Sequence, residues 1–221
     1  MRKLIVLGDS HLDALKLAAD LGLLISDENE FCIVPGATAV GLRNPNSITD
    51  AINIFRDTLV DKDTSSYVLT HLGEVDCGFV IWWRAQTYGD PVYKQFKESL
   101  TAYHNFIDEI SSGGYTKVCI TAASLPTIRD GIDLGSVANK RSEIKVSLYD
   151  RTQLTLEYNN ALREFANRSS VLFFDISNAL LNKRENVVSD FFRNNDPTDH
   201  HLDKTKVCGI WALECNKFLS S

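Results

Sequence analysis

The chain is predicted to be an α/β protein of three layers, in which helices cover both faces of a parallel sheet. Two observations predict this class. Short apolar runs recur at five places, and segments with hydrophobic residues at helical spacing lie between them. Consecutive parallel strands need a long crossover connection, which is usually a helix, so this alternation favours a single sheet of five parallel strands.

Each predicted strand is a short apolar run that is followed by turn-forming or polar residues. The strands are placed at residues 3–7, 31–34, 67–72, 117–122 and 171–176. Glycine follows the first and third runs, and Pro35 and Gly36 follow the second. The helices are placed at residues 12–21, 47–59, 93–110, 153–167 and 207–219, where apolar residues recur with a helical period. Residues 125–150 lack such a period, so a long loop or a small insertion is expected there.

Composition and charge exclude several classes of function. The chain has 221 residues, of which 44% are hydrophobic and 24% charged, and this fits one globular domain over residues 1–221. Its net charge of -6 argues against nucleic acid as a partner. The apolar run at 4–7 is too short for a signal peptide, and no run approaches the roughly 18 apolar residues of a membrane span. We therefore expect a cytoplasmic protein, and the oligomeric state stays open.

The sequence carries no pattern typical of a cofactor or metal site. The five cysteines are scattered, without the C-x-x-C spacing of a zinc site or a redox pair, so we expect reduced thiols in or near the core. Neither a metal-ligand spacing nor a glycine-rich phosphate loop is present. The expectation is therefore no cofactor and no bound metal.

Ser10 is the candidate nucleophile. It lies in the sequence Gly8-Asp9-Ser10-His11, directly after the first predicted strand, and open parallel sheets keep their active sites at the carboxyl ends of the strands. Free backbone N–H groups at the start of the following helix favour negative charge at this place. Serine is also a preferred helix N-cap, so the segment alone supports a structural role equally well.

A base and its carboxylate partner are predicted near the other end of the sequence. In Asp199-His200-His201 an imidazole follows a carboxylate by two residues, and these are the residue types that make a serine hydroxyl nucleophilic. His200 competes with His201 as the base, and Asp196 competes with Asp199 as the carboxylate. The alternative for the whole segment is a solvated polar loop.

Loops after the second and third predicted strands supply further candidates. Gly36 could direct its backbone N–H at an oxyanion, or it could serve a turn with positive φ. Gly73 opens the next loop, in which Glu74 and Asp76 are either ordinary loop acids or carboxylates that orient neighbouring loops.

An aromatic and cationic group follows that loop. Trp82, Trp83 and Arg84, followed by Tyr88, suit contact with a sugar ring or an acyl group. The predicted substrate-binding residues are Asp9, Trp82, Trp83 and Arg84. Core packing accounts equally well for one of the tryptophans. The isolated His71 and His104 are expected to serve packing and hydrogen bonding.

Taken in order, these segments resemble the sequence blocks of the SGNH hydrolase superfamily, also called GDSL-type esterases and lipases. Residues 8–11 resemble the nucleophile block, Gly36 the second, residues 73–76 the third and residues 199–201 the last. The resemblance implies a flavodoxin-like sandwich in which Ser10 is the nucleophile and His201 and Asp199 complete the triad. It also implies an oxyanion hole made by the N–H groups of Ser10 and Gly36 and by a third-block asparagine.

Two departures from the family pattern matter. The third block usually reads Gly-x-Asn-Asp, but Val75 occupies the asparagine position, so the loop that begins at Gly73 is expected to supply a backbone donor instead. A lost oxyanion donor typically costs on the order of 10²-fold in rate or more. The last block usually reads Asp-x-x-His, whereas the shorter spacing from Asp199 to His201 resembles some sugar O-acetyltransferase-like members. Residues 201–203 also resemble those at the family's catalytic histidine, which favours this pair over Asp196 and His200.

The resemblance implies a serine esterase. No long apolar lid is visible, which favours short, acetyl-type acyl groups on a carbohydrate or another small polar molecule. One alternative is a glycan O-acyltransferase, motivated by Trp82, Trp83 and Tyr88. Another is a binding protein with an SGNH-like fold and decayed catalysis, motivated by Val75.

Overall fold

The predicted five-stranded parallel sheet is confirmed by the computed structural model, which describes residues 1–131, 144–196 and 199–221. Its strands are β1 (Lys3–Gly8), β2 (Glu28–Ile33), β3 (Tyr67–His71), β4 (Lys117–Thr121) and β5 (Leu172–Phe174). They lie in the order β2-β1-β3-β4-β5, and all neighbouring pairs are parallel. This is the flavodoxin-like order, in which ligands bind at the carboxyl ends of β1 and β3, where the direction of winding reverses.

Helices cover both faces of the sheet. The described helices are α1 (Asp13–Asp20), α2 (Ala51–Leu59), α3 (Ile81–Tyr88), α4 (Val92–Ser112), α5 (Leu148–Ser169), α6 (Ser177–Leu180) and α7 (Lys204–Leu219). Within the described ranges, no helix has the length and apolar character needed to cross a membrane.

Side chains along β1 point alternately into two hydrophobic cores, one on each face of the sheet. Ile5 and Leu7 point into the core formed with α2, α3, α4 and α5, whereas Leu4 and Val6 point into the core formed with α1 and α7. All four side chains are buried. Because β1 is covered on both faces, it reads in the sequence as a continuous apolar run and not as an alternating one.

Local backbone geometry shifts two predicted helix starts. Asp50 adopts a left-handed conformation with φ 50°, so α2 begins at Ala51 and not at position 47. The Ser147 side chain accepts a hydrogen bond from the Asp150 N–H and starts α5 five residues before the predicted position 153. The last three residues of the expected loop 125–150 are therefore helical, and residues 132–143 lie outside the described residues.

Some short elements were not predicted. An antiparallel ribbon of β6 (Leu181–Asn182) and β7 (Val187–Val188) precedes the last block, and α3 contains the aromatic group at 82–84. The edge strand β2 begins three residues earlier than predicted, because its first residues are polar and exposed and give no apolar signal. All five cysteines are free thiols, and four of them are buried.

Gly8 is required by the close approach of β1 to β3. A Cβ atom at Gly8 would lie 2.2 Å from the His71 carbonyl oxygen and 2.7 Å from Leu12 Cδ1. We expect Gly8→Ala to lower the free energy of unfolding by about 3 kcal/mol, because backbone must move to relieve the overlap. Urea denaturation measures this loss.

The matched control is Gly209→Ala in α7. Gly209 is exposed, and a Cβ added there would meet no atom within 4 Å. Since alanine is the better helix former, this substitution is expected to stabilise the protein by about 0.8–1 kcal/mol. Equal effects of the two substitutions would contradict the steric argument for Gly8.

Candidate active site

The structure brings together the three residues predicted to form a triad. Ser10 Oγ lies 2.8 Å from His201 Nε2, although 191 positions separate the two residues. On the other side of the same ring, His201 Nδ1 lies 2.7 Å from Asp199 Oδ1. Of the two adjacent histidines, His201 is therefore the one that faces the serine. A hydroxyl, an imidazole and a carboxylate in this order can generate a serine nucleophile.

Asp9, and not Ser10, caps the turn that follows β1. Its Oδ1 atom accepts a hydrogen bond from the His11 N–H at 2.9 Å, at the start of the 3-10 turn Ser10–Leu12. This leaves the Ser10 hydroxyl for His201. Asp9 is fully buried, and its carboxylate supports the turn from below. Substrate contact by Asp9 stays an untested prediction.

Both carboxylate oxygens of Asp199 are engaged. Oδ1 accepts from the backbone N–H of His201 at 2.9 Å as well as facing its ring, and Oδ2 accepts from Asn194 Nδ2 at 2.7 Å. Partial burial opposes ionisation of Asp199, but the hydrogen bonds and the charge of His201 outweigh it and lower the pKa of this carboxyl below its usual value. Asp199 is thus ionised at neutral pH and fixes the ring orientation of His201.

Three contacts hold the segment around His201 in place. Leu202 forms an isolated antiparallel bridge with Arg193. The Thr127 hydroxyl donates to the His200 carbonyl oxygen. Asp203 caps α7 by accepting from the Thr205 N–H at 3.0 Å. His201 is therefore anchored on both sides, by a bridge to the preceding segment and by the start of the last helix.

Asp76 orients the loop that follows β2. This fully buried carboxylate accepts from the Ala39 N–H at 2.7 Å, from the Val40 N–H at 2.9 Å and from the Ser99 hydroxyl at 2.8 Å. Burial raises the pKa of Asp76, and these hydrogen bonds oppose the rise. Of the two roles that the sequence left open, the structure supports the carboxylate that orients a neighbouring loop. The oriented loop is the one that carries Gly36.

The glycines proposed for the oxyanion hole differ in their surroundings. Gly36 has φ 73°, is exposed, and a Cβ there would meet no atom within 4 Å. Gly73 has φ 120°, and a Cβ there would lie 2.8 Å from Tyr158 Cε1 and 2.9 Å from Ala123 Cβ. Both positions thus need glycine for their backbone conformation. The oxyanion role of Ser10, Gly36 and Gly73 stays a prediction.

Sequence reasoning missed a buried histidine beside the triad. His11 Nδ1 lies 3.1 Å from Asp9 Oδ1, and His11 Nε2 lies 3.5 Å from Glu74 Oε2. The ring centroids of His11 and His201 are 4.7 Å apart. Burial opposes ionisation of Asp9, but the charge and hydrogen bonds of His11 outweigh it and lower the pKa of this carboxyl. The only signal in the sequence was the position of His11 next to Ser10.

None of the predicted substrate residues Trp82, Trp83 and Arg84 lines the described cavity that contains Ser10 and His201. Trp82 donates from Nε1 to the Cys77 carbonyl at 2.7 Å and packs against the core. Arg84 donates to the Gln95 side chain at 2.6 Å. Trp83 contacts Phe79 and Tyr88. Core packing therefore accounts for Trp82, while substrate contact by Trp83 and Arg84 stays an untested prediction.

A cavity of about 190 Å³ lies beside the triad. Polar and charged side chains predominate in its lining. The lining residues are Ser10, His11, Asp13, Ala14, Ser124, Asn194, Asp199, His201, Leu202, Asp203, Lys204, Thr205, Val207 and Trp211. Its volume is below the range of about 300–1,000 Å³ that is typical of pockets for drug-sized ligands.

His71 lies beneath the site at the end of β3. Its Nδ1 atom is 2.6 Å from Thr121 Oγ1 and its Nε2 atom is 3.2 Å from Ser124 Oγ. Full burial lowers the pKa of His71 from 6.5 to about 4, and this outweighs the attraction of Asp9. His71 therefore serves hydrogen bonding as predicted, and it is neutral in the folded protein at neutral pH.

The lowered pKa of His71 predicts a loss of stability in acid. The unfolded chain takes up a proton near pH 6.5 and the folded protein does so only near pH 4, so stability falls as the pH drops through this interval. Between pH 7 and pH 5 the loss from His71 is about 2 kcal/mol. Urea denaturation at both pH values should show that His71→Asn reduces the loss by this amount. An unchanged loss in the variant would show that His71 is not the group that titrates.

No protein-family model matches the chain, and no curated protein matches it in sequence. A solved GDSL-like lipase from Bacteroides thetaiotaomicron matches 99% of this chain and 88% of its own, with 14% identity and a TM-score of 0.57. The chain has the fold of the SGNH hydrolase superfamily. The resemblance seen in the sequence blocks is thereby confirmed at the level of the fold.

Two other solved structures also match over nearly the whole chain. An acetyl xylan esterase, AlAXEase, is 16% identical, with 96% of this chain and 97% of its own covered and a TM-score of 0.59. A lipase/acylhydrolase from Enterococcus faecalis is 16% identical, with 98% of this chain and 96% of its own covered and a TM-score of 0.53. In this chain the carboxyl ends of β1, β2 and β3 meet at one edge of the sheet, which is where Ser10, Gly36 and Gly73 lie.

Proposed function

We propose that the protein is a serine esterase that cleaves short acyl esters. One observation carries the proposal: the chain of contacts from Ser10 Oγ through the His201 ring to Asp199, at 2.8 and 2.7 Å. The SGNH fold, shared with esterases and acylhydrolases, supports it. Ser10 is the proposed nucleophile, His201 the general base and acid, and Asp199 the carboxylate that orients the imidazole.

The reaction proceeds in two acyl transfers. Ser10 Oγ attacks the ester carbonyl carbon while its proton passes to His201 Nε2. The tetrahedral intermediate then collapses, its bond to the alcohol oxygen breaks, and His201 returns the proton to the leaving alcohol. Water attacks the acyl-serine in the same way, with His201 again taking the proton, and collapse restores the Ser10 hydroxyl and releases the acid. Asp199 stays ionised throughout and stabilises the imidazolium.

The oxyanion is held by backbone N–H groups in this proposal. Ser10 and Gly36 supply two donors from neighbouring loops, and the loop that begins at Gly73 supplies a third in place of the asparagine that Val75 replaces. Val75 is half-buried and has helical backbone angles at the start of the turn Asp76–Val80. The hydrogen bonds from Ala39 and Val40 to Asp76 keep the Gly36 loop in position before the substrate arrives.

The cavity favours a small acyl group on a polar alcohol. Its volume of about 190 Å³ leaves little room for a long acyl chain, and Asp13, Asp203 and Lys204 give its rim a polar character. We therefore propose acetyl-type esters of a carbohydrate or of a similar small polar molecule, and the likeness to an acetyl xylan esterase supports this choice. Hydrolysis is preferred to acyl transfer because Trp82, one of the three aromatic residues that motivated transfer, packs against the core.

A fluorophosphonate probe tests the proposed nucleophile. We expect one adduct per chain, and peptide mass spectrometry should place it on Ser10. Ser124 also lines the cavity and contacts His71, so Ser124→Ala is the matched control and should still be labelled, whereas Ser10→Ala should not. Failure of the folded protein to react, or an adduct on another serine, would overturn the proposal.

A further inference from the structure

Three histidine rings converge beside the proposed nucleophile. One ring nitrogen from each of His11, His200 and His201 lies within 4.8 Å of the other two. The ring centroids are 4.0 Å apart for His200 and His201, 4.7 Å for His11 and His201, and 5.7 Å for His11 and His200. We propose that this three-histidine cluster binds one divalent transition-metal ion of the zinc type, and that the bound ion switches off the esterase.

The donor set and its spacing suit such an ion. Neutral imidazole is a preferred ligand of Zn²⁺, which takes three histidines readily in tetrahedral sites with Zn–N distances of about 2.0–2.1 Å. A tetrahedral ion at that distance holds its ligand nitrogens about 3.4 Å apart. The nitrogens of the cluster are separated by at most 4.8 Å, so modest side-chain rotation brings them into range. His200 is only partly buried and can make that adjustment.

The surroundings of two of the rings are those typical of metal-binding histidines. His11 Nδ1 faces the Asp9 carboxylate at 3.1 Å, and His201 Nδ1 faces the Asp199 carboxylate at 2.7 Å. Histidines that bind metals almost always donate their second ring nitrogen to a carboxylate or carbonyl, which fixes the ring and makes the ligating nitrogen more basic. In both residues this arrangement assigns Nδ1 to the carboxylate and Nε2 to the ion.

Charge at the site also favours a cation. Asp9 and Glu74 are both buried, and Glu74 Oε2 lies 3.5 Å from His11 Nε2. Asp199 is partly buried and faces His201, so three carboxylates contact rings of the cluster. A divalent ion among neutral imidazoles would offset much of that negative charge in a region of low dielectric.

The metal and the serine compete for the same nitrogen. His201 Nε2 lies 2.8 Å from Ser10 Oγ, and a nitrogen that donates its lone pair to a metal ion cannot accept the serine proton. Bound zinc therefore inhibits ester hydrolysis, and a chelator restores it. This consequence rests on the proposed function, whereas the metal site itself rests only on the cluster.

Zinc binding is tested on the folded protein without any substrate. After chelator treatment and dialysis, isothermal titration and native mass spectrometry with Zn²⁺ should show one ion per chain, and zinc should raise the melting temperature. His200→Gln is expected to weaken binding at least about tenfold, since one of three ligands is lost. His104→Gln is the matched control, because His104 stacks on Phe165 outside the cluster and its loss should leave zinc affinity unchanged.

The second variant is His11→Gln, checked for folding by circular dichroism because His11 is buried. The metal site is overturned if the wild-type protein takes up no zinc, or if His200→Gln and folded His11→Gln bind zinc as the wild type does.

In the activity arm, His200→Gln should hydrolyse ester without zinc and resist inhibition by zinc. Zinc bound at the cluster with undiminished hydrolysis would overturn the inhibition. Zinc binding by a protein that hydrolyses no ester would support the site and contradict the proposed function.

Discussion

Ser10→Ala is expected to lower kcat for p-nitrophenyl acetate on the order of 10⁴-fold or more, because it removes the atom that forms the acyl intermediate. His201→Gln should cost about as much, since a serine without its base at 2.8 Å is nearly inert. The two residues act in the same step, so the effects of their substitutions do not add. The double variant should therefore be no slower than either single variant. Initial rates at saturating substrate measure all three.

Two controls separate chemistry from folding in this series. His200→Gln alters the adjacent imidazole, which does not face the serine, and should keep its rate. The melting temperature of Ser10→Ala should match that of the wild type, because Ser10 is only partly buried and its loss opens no core cavity. Turnover that survives in Ser10→Ala would end the case for a serine nucleophile.

Asp76→Ala is expected to lower the free energy of unfolding by about 3 kcal/mol or more. The substitution leaves the buried N–H groups of Ala39 and Val40 without their acceptor, and each unsatisfied buried donor costs about 1–3 kcal/mol. The loop that carries Gly36 then loses its anchor, so kcat should fall as well. Urea denaturation and initial rates are the measurements.

Asp76→Asn keeps the volume of the side chain and gives a sharper test. Oδ1 faces the Val40 N–H and Oδ2 faces the Ala39 N–H, so either orientation of the amide directs its NH₂ group at a backbone donor. The asparagine variant should therefore also be destabilised, by about 2 kcal/mol. Asp57→Asn, at an exposed position of α2, is the control and should change stability by less than about 0.5 kcal/mol. Wild-type stability in Asp76→Asn would refute the anchoring role.

The sheet could be predicted from local apolar patterns, and local segments proposed the residues of the triad. The resemblance to the SGNH sequence blocks then favoured Asp199 and His201 over Asp196 and His200. Strands β1, β3 and β4 are buried on both faces and read as apolar runs. Ser10 stands directly after the first of these runs, and Asp199 reaches His201 within its own segment, with its Oδ1 atom bound to both the N–H and the ring of that residue.

The features of the site that the sequence did not predict depend on contacts between distant segments. His11 and Glu74 meet only because β1 pairs with β3, and the Asp9 cap could be distinguished from a Ser10 cap only by side-chain direction. The three-histidine cluster joins position 11 to positions 200 and 201, so no local spacing indicated it. Tryptophan at position 82 is equally suited to a core and to a binding surface, and its hydrogen bond to the Cys77 carbonyl decided the matter.

Because of the contact between Ser10 and His201, recovery of ester hydrolysis reports a late step of folding. This contact closes a loop of 191 positions, and α1 packs against α7 in the same core that the contact borders. Contacts between distant positions form late, because the entropy of closing the loop must be overcome before they add stability. On refolding from urea, helical circular dichroism should therefore recover before ester hydrolysis does. The first turnover would mark the moment at which residues from opposite ends of the sequence have docked.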